Sequence, residues 1–299
     1  MDQKIILFYN HMWHDPLLYP ENELPERYVI TMDRSLMDEA AAVVFHLPTL
    51  PPGLFTNGEV GKNNGQIWVA WYMECEANYP HLDDPDFMSR FDLRMSHRLD
   101  ADIFSPYFPP DFAELSRRPA PEKEPGKIVN AFISSHINKS GRLQYLIRMM
   151  KVIDVHSYGR MIPNMPPLDD YGHGFKLDTI SKYKFTIAFE NAIAADYVTE
   201  KFYDPLITGS VPVYLGAPNV SDFAPGDNCY IDASEWDDPE SLARYLLDLS
   251  RDDARYMSYF EWKNKPFLSK FSQMLEIKKV HPFVRLCARI RELLESSGG

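Results

Sequence analysis

The sequence predicts an α/β protein with parallel sheets, divided into two domains. Three observations carry this. Short apolar runs in the first third are bounded by polar or proline-rich stretches. Strand-like and helix-like segments alternate after residue 127, and a charged, proline-rich segment separates the two regions. A length of 299 residues suits one large or two ordinary domains, and 45% hydrophobic residues can fill real cores.

The first region offers Ile5–Phe8, Ala42–Phe45 and Ile67–Trp71, each short and rich in β-branched or aromatic residues, as buried strands. Arg117–Gly126 holds three prolines, a glycine and no apolar face, which predicts a linker. Beyond it, Ile128–Ile133 reads as a strand, Ser134–Gly141 as a loop and Arg142 onward as a helix. Leu143, Leu146, Ile147 and Met150 fall at the spacing of one helical face. Val152–Val155 predicts the next strand. Phe185–Phe189 predicts another, ending in Glu190 and Asn191; a polar loop follows, a helix starts at Glu200-Lys201, and Ser210–Gly216 closes the unit. Asp238 before Pro239 has the form of an N-cap with proline at the first helical position, and Leu242, Tyr245, Leu246 and Leu249 repeat helical spacing behind it. Such alternation implies a parallel sheet covered on both faces, so the second domain is expected to be Rossmann-like. At the end, Pro282–Leu294 reads as an amphipathic helix. It would pack within the chain, meet a membrane surface or join a partner.

A formal charge of −12 argues against a general nucleic-acid binder, whose affinity rests on neutralising phosphates. An anionic small molecule needs only two or three local cations. Cys75, Cys229 and Cys287 lack the paired spacing of a zinc site and fit a reducing compartment. No apolar run reaches 18 residues and no leader precedes the first strand, so a cytoplasmic protein without a transmembrane segment is expected. The glycosylation-type triplets at Asn138 and Asn219 are read as chance on that basis.

The chemistry concentrates where strands hand over to helices, the edge at which open α/β sheets bind ligands. Lys201 falls in the first turn of a helix, where the macrodipole disfavours a cation by roughly 0.3–1 kcal/mol. A bound phosphate would explain it; the alternative is a surface Glu-Lys pair. Ser140-Gly-Arg142 opens another helix, either as a second phosphate contact through Arg142 or as a plain helix start with a solvated arginine. Pro205 shortens or kinks the helix that begins at Glu200. Asp83–Asp86, Asp169-Asp170 and Asp252-Asp253 read as solvated acids or helix starts, and no metal site is expected. His11 and His14 lack helical-pair spacing. Trp13, Trp68 and Trp71 would stack on sugars or fill the core.

Ala188-Phe-Glu-Asn191, Asp196-Tyr-Val-Thr-Glu-Lys201 and Val211-Pro-Val-Tyr-Leu-Gly216 together closely resemble the signature of α1,3/4-fucosyltransferases. The likeness extends to Ser140–Leu143, His156–Arg160, Leu242–Leu246 and Tyr256–Trp262, covering about residues 128–265, and more loosely to Ile67–Glu76 and Met95–Asp102. The resemblance implies the GT-B arrangement, two facing Rossmann-like domains with a cleft between them. Residues 1–120 would form the acceptor-side domain, 121–275 the GDP-fucose domain and 276–299 a terminal helix that packs back on the first. It implies that Arg142 and Lys201 hold the pyrophosphate. Asn191, Tyr197 and Glu200 would contact nucleoside, ribose or fucose, with Tyr158 and Arg160 lining the same crevice. The family's base glutamate follows a Trp-containing strand. Here Glu74 falls in line with it and Glu76 competes, because the family's Ser-Pro is missing. If the strand end stays extended, both carboxylates share one side.

The implied activity is inverting transfer of L-fucose from GDP-fucose to the 3-hydroxyl of N-acetylglucosamine in a Lewis-type glycan, without an obligatory metal or cofactor. The expected setting is a bacterial enzyme working on lipid-linked or surface-polysaccharide precursors, with peripheral membrane contact at most. The rival readings are a GT-B transferase for another nucleotide sugar and a non-catalytic glycan-binding protein.

Overall fold

The computed structural model describes residues 3–55, 57–58, 60–166 and 172–297. The chain forms two units, Met1–Pro106 with Glu276–Gly299 and, separately, Tyr107–Leu275.

The first unit is built on β1 (Lys4–Phe8), β2 (Tyr28–Thr31), β3 (Ala42–His46), β4 (Ile67–Tyr72), β5 (Leu93–Ser96) and β6 (Ile103–Phe104), in the order β2-β1-β3-β4-β5-β6. All pairings are parallel. Both faces are covered, which explains why the strands read as unbroken apolar runs rather than alternating ones. Ile6, Phe8, Val44, Val69 and Trp71 point into one core, and Leu7, Val43, Phe45, Trp68 and Ala70 into the other. This is the two-residue alternation of a strand. Residues 282–297 cover the first of these faces: Phe283, Leu286, Cys287 and Ile290 are buried there against Phe8 and Trp71. Arg285 donates to the Phe104 carbonyl at 2.7 Å and Lys278 to that of Pro106 at 2.8 Å. The terminal helix thus packs intramolecularly.

The second unit carries β7 (Val129–Ala131), β8 (Val155–Ser157), β9 (Phe185–Phe189), β10 (Val211–Leu215) and β11 (Ile231–Asp232), parallel throughout in the order β11-β10-β9-β7-β8. Three helices matter for the site: Arg142–Met149 after β7, Gly172–Ser181 before β9 and Glu200–Thr208 after it, here numbered α1, α2 and α3. Parallel pairing brings the carboxyl ends of β9, β7 and β8 to one edge, which is why residues far apart in sequence meet there.

Several expectations shift in detail. The apolar spacing predicts Ile147 on the inner face of α1, yet the buried positions are Arg142, Leu146 and Met149, with Ile147 exposed. The buried face is turned from the apolar stripe because Arg142, a basic residue, shares it with Leu146 and Met149. Val152–Val155 is not a strand. Val152 and Ile153 close α1 through the Met149 carbonyl, and β8 starts only at Val155.

Residues 107–120, expected in the first domain, belong to the second unit: Phe108 and Phe112 pack on Tyr203 and Phe271. Nor is Arg117–Gly126 a loose linker. Arg117 donates to the Trp262 carbonyl at 2.8 Å, and Lys123 to those of Ser181 (2.7 Å) and Gly209 (2.6 Å). Lys263 reaches back to the Ser116 carbonyl at 2.6 Å. Three basic side chains therefore clamp a segment whose composition alone looks mobile.

Candidate active site

At the carboxyl end of β9, Glu190 extends the ladder by donating its N–H to the Leu215 carbonyl at 2.8 Å, and its side chain is fully buried at 0% exposure. Its Oε1 accepts from the Thr199 N–H (2.8 Å) and hydroxyl (2.9 Å), and its Oε2 also lies 2.9 Å from that hydroxyl. Thr199 is the N-cap of α3, accepting from the Lys201 N–H. The helix ends at Gly209, whose φ of 78° is the left-handed C-terminal cap conformation. Pro205 removes one helical hydrogen bond, consistent with so short a helix.

The Lys201 ammonium lies 3.0 Å from Thr199 Oγ1, 3.1 Å from Glu200 Oε1 and 3.4 Å from Glu190 Oε2, and the side chain is 22% exposed. Burial alone would lower its pKa, but Glu190 and Glu200 outweigh that and raise it above the ordinary lysine value. For Glu200, burial works against ionisation, yet Lys201 and Lys176 hold its pKa down at about 2. Burial pushes Glu190 up, opposed by Lys201. The arrangement is a cation, fixed at a helix N-terminus, that remains protonated across the physiological range and keeps a solvent-facing side.

The loop before α1 is stapled to this turn. Ser140 donates its N–H to the Asn191 carbonyl at 3.1 Å and its hydroxyl to that of Glu190 at 2.6 Å, and Gly141 takes a φ of 72°. Arg142 is 1% exposed; Nη1 donates to the Phe189 carbonyl (3.1 Å), and Nη2 to those of Ser135 (3.1 Å) and Ile137 (3.0 Å). Its guanidinium is thus engaged with main chain, holding the loop against β9 while adding positive potential behind Lys201. Gly159 lets the segment after β8 pass close to Ile133, whose backbone a Cβ at that position would strike.

In the first unit, the carboxyl edge carries a second polar group. Glu74 follows β4 and accepts from Asn78 Nδ2 at 3.1 Å, whereas Glu76 lies 3.8 Å from Arg98. The segment bends directly after Tyr72 and turns at Glu76, so the two carboxylates do not share an extended strand end. His46 is buried, its Nδ1 2.8 Å from Thr49 Oγ1, and burial lowers its pKa to about 4, leaving a neutral imidazole. Trp13 takes a φ of 55°, is half exposed, and lies edge-on to His46 at 6.0 Å.

Two family models cover nearly the whole chain: "Fucosyltransferase, N-terminal" matches residues 1–108, and "Glycosyltransferase family 10 (fucosyltransferase) C-term" residues 122–297. The chain belongs to glycosyltransferase family 10, the fucosyltransferases. Among curated family members it is 34% identical to human 4-galactosyl-N-acetylglucosaminide 3-alpha-L-fucosyltransferase FUT5 over 263 residues, 84% of this chain and 66% of that protein. Human 3-galactosyl-N-acetylglucosaminide 4-alpha-L-fucosyltransferase FUT3 is 33% identical over 263 residues, 84% and 68% of the two chains. The chain therefore spans about two thirds of these fucosyltransferases. A solved structure, an α1,3-fucosyltransferase with GDP-fucose, superposes with a TM-score of 0.57 at 16% identity, covering 98% of this chain and 90% of that one. That likeness concerns the fold and agrees with the GT-B class expected.

Within this family-10 chain the structure brings Asn191, Glu200 and Lys201 together at one sheet edge, with Arg142 behind them. Tyr197 is buried, its ring edge-on to Tyr107 at 6.3 Å. Tyr158 and Arg160 follow β8 at the same edge. Tyr158 stacks on Phe132 at 5.1 Å and shares a 2.6 Å hydrogen bond with the Tyr183 hydroxyl, while Arg160 is exposed. Two residues enter the site that the spacing does not single out. Thr199 carries the cap, and Glu190 is central rather than incidental. Asp84 and Asp252 prove to be N-caps, and Asp169-Asp170 lie outside the described residues. Among the described residues no three His, Cys, Asp or Glu side chains gather as a metal site, and no helix is long and apolar enough to cross a membrane.

Proposed function

We propose that this chain transfers L-fucose from GDP-fucose, with inversion, to the 3-hydroxyl of N-acetylglucosamine in a galactose-containing glycan. The observation that carries the donor half is the Glu190–Thr199–Lys201–Glu200 cluster at the start of α3. In this reading Lys201 and the helix N-terminus receive the pyrophosphate, and Arg142 reinforces them from behind. Asn191, Tyr197 and Glu200 meet nucleoside or sugar, with Tyr158 and Arg160 further along the edge. Names of the curated relatives specify galactosyl-N-acetylglucosaminide acceptors, which supports the acceptor class.

The acceptor oxygen attacks the anomeric carbon from the side opposite GDP. The carbon–oxygen bond to the β-phosphate breaks, and its electron pair leaves with GDP. Glu74 accepts the hydroxyl proton. It suits that role better than Glu76, because it follows directly on β4, whereas the Glu76 carboxylate is already engaged by the Arg98 guanidinium at 3.8 Å. Charge on departing GDP is met by Lys201 and main-chain amides already in place, so no metal enters the proposal.

A glycan-array assay with GDP-fucose tests reaction and acceptor together. Fucose is expected on N-acetyllactosamine-type glycans. Binding of glycans without GDP binding or turnover would sink the proposal in favour of a lectin-like role.

A further inference from the structure

We infer that Glu190 is a positioning residue for the donor: its buried carboxylate fixes the Lys201 ammonium at the start of α3 for the incoming pyrophosphate. This rests on the GDP-fucose reading above and adds to it the group that aims the cation.

Three restraints meet at Glu190. Its main chain is locked into the β9–β10 ladder, and both carboxylate oxygens engage Thr199. Its aliphatic part rests on Gly216, where a Cβ would come within 2.6 Å of Glu190 Cγ and 2.4 Å of the Tyr214 hydroxyl. Fully enclosed, the carboxylate touches no substrate and acts only through its neighbours. Burying a charge is costly unless it is paired, and buried ion pairs contribute little net stability compared with apolar packing. A carboxylate here therefore calls for a reason other than stability.

Lysine is a point charge on a flexible four-carbon stem. Thr199 Oγ1 at 3.0 Å and Glu190 Oε2 at 3.4 Å hold it from inside, and Glu200 at 3.1 Å from outside. Glu200 is 43% exposed and is the partner that yields to a phosphate; Glu190 stays. The charged groups facing Lys201 are Glu190 from β9, Glu200 on α3 and Arg142 from α1, while Tyr203 and Tyr214 face Glu190. Burial and Arg142 press the ammonium to lose its proton, and the two carboxylates oppose them. Neutralising Glu190 removes one of those two.

The test uses the full chain and its Glu190→Gln variant, with GDP affinity by calorimetry and donor KM and kcat from pH 7.5 to 10. The GDP affinity of the variant is expected to begin falling at lower pH than that of the parent, by up to about tenfold per pH unit once the ammonium deprotonates. The loss should appear in donor KM more than in kcat. In a Lys201→Gln background the same change is expected to add nothing. Superimposable pH profiles, or additive effects in the double variant, would overturn the inference. Should Glu190→Gln fail to fold, Thr199→Ala removes the bridging hydroxyl and is expected to shift the profile in the same direction; an unshifted profile overturns the inference equally. A parent that binds no GDP at any pH sinks the GDP-fucose reading and this inference with it. A parent that binds while Glu190→Gln matches it sinks only the role of Glu190.

Discussion

Replacing Lys201 with methionine perturbs the cluster from the side opposite Glu190. The ammonium lies 3.4 Å from a carboxylate with 0% exposure, and the only other donor to that carboxylate in the cluster is Thr199. Methionine fills the volume of the stem but leaves Glu190 as a buried charge without its cation. Breaking a buried pair on one side costs about 3–5 kcal/mol. At ~2–4 °C per kcal/mol for a domain of this size, melting should fall by roughly 6–20 °C at neutral pH. The sign of the pH dependence follows from Glu190. Burial already raises its pKa, and loss of Lys201 raises it further, so the folded form of the variant binds a proton that the unfolded chain releases. Its stability is then retained below the unfolded carboxylate value and lost as pH rises towards the folded one. Urea denaturation of parent and variant at pH 5 and pH 8, without nucleotide, measures this. The gap should be smaller at pH 5. A variant within about 0.5 kcal/mol of the parent at both pH values would refute the claim that Lys201 compensates a buried charge, since that is the range of an ordinary surface change.

Glu74→Gln is expected to lower kcat by roughly 10²–10⁴ with GDP affinity nearly unchanged, and Glu76→Gln to stay near the parent; steady-state kinetics with calorimetry would show the reverse pattern if the assignment is wrong. Lys123, pushed by burial to about 7, is protonated in the unfolded chain but increasingly neutral in the folded one above that value. Its contribution to stability should therefore rise between about pH 7 and 10. Lys123→Met should flatten that slope in denaturation curves taken across the range, and an unaltered slope would contradict the assignment. Transfer activity should survive a strong chelator; complete loss, restored by added divalent metal, would show that the pyrophosphate needs a cation beyond Lys201.

The donor edge was legible because its signal is local. Phe185–Phe189 reads as a buried strand, Glu200-Lys201 as a helix start, and a cation in that first turn contradicts helix electrostatics. Glu190 was not, because a carboxylate at a strand end ordinarily faces water. What buries it is Gly216, just after β10, and the return of Thr199, both fixed by tertiary structure. The spacing puts Arg142 in the right loop but reaching outward, since no spacing reveals that three main-chain carbonyls converge on it. The short strands β2, β5, β6 and β11 escaped because two to four residues carry too little periodicity to stand apart from loops. Similarly, prolines and charges at residues 117–126 suggest mobility only until Lys123, Arg117 and Lys263 find their carbonyls.

The central claim is that α3 and its flanking carboxylates form a site for a guanosine diphosphate sugar. Thermal denaturation of the full chain with GDP, GDP-fucose or UDP tests it most directly, because a ligand bound only to the native state stabilises it, by ~2.7 kcal/mol at a hundredfold excess over Kd. GDP and GDP-fucose should raise the melting temperature of the parent, UDP should not, and Lys201→Met should lose the GDP effect. Equal protection by UDP, or undiminished protection by GDP in Lys201→Met, would contradict the account.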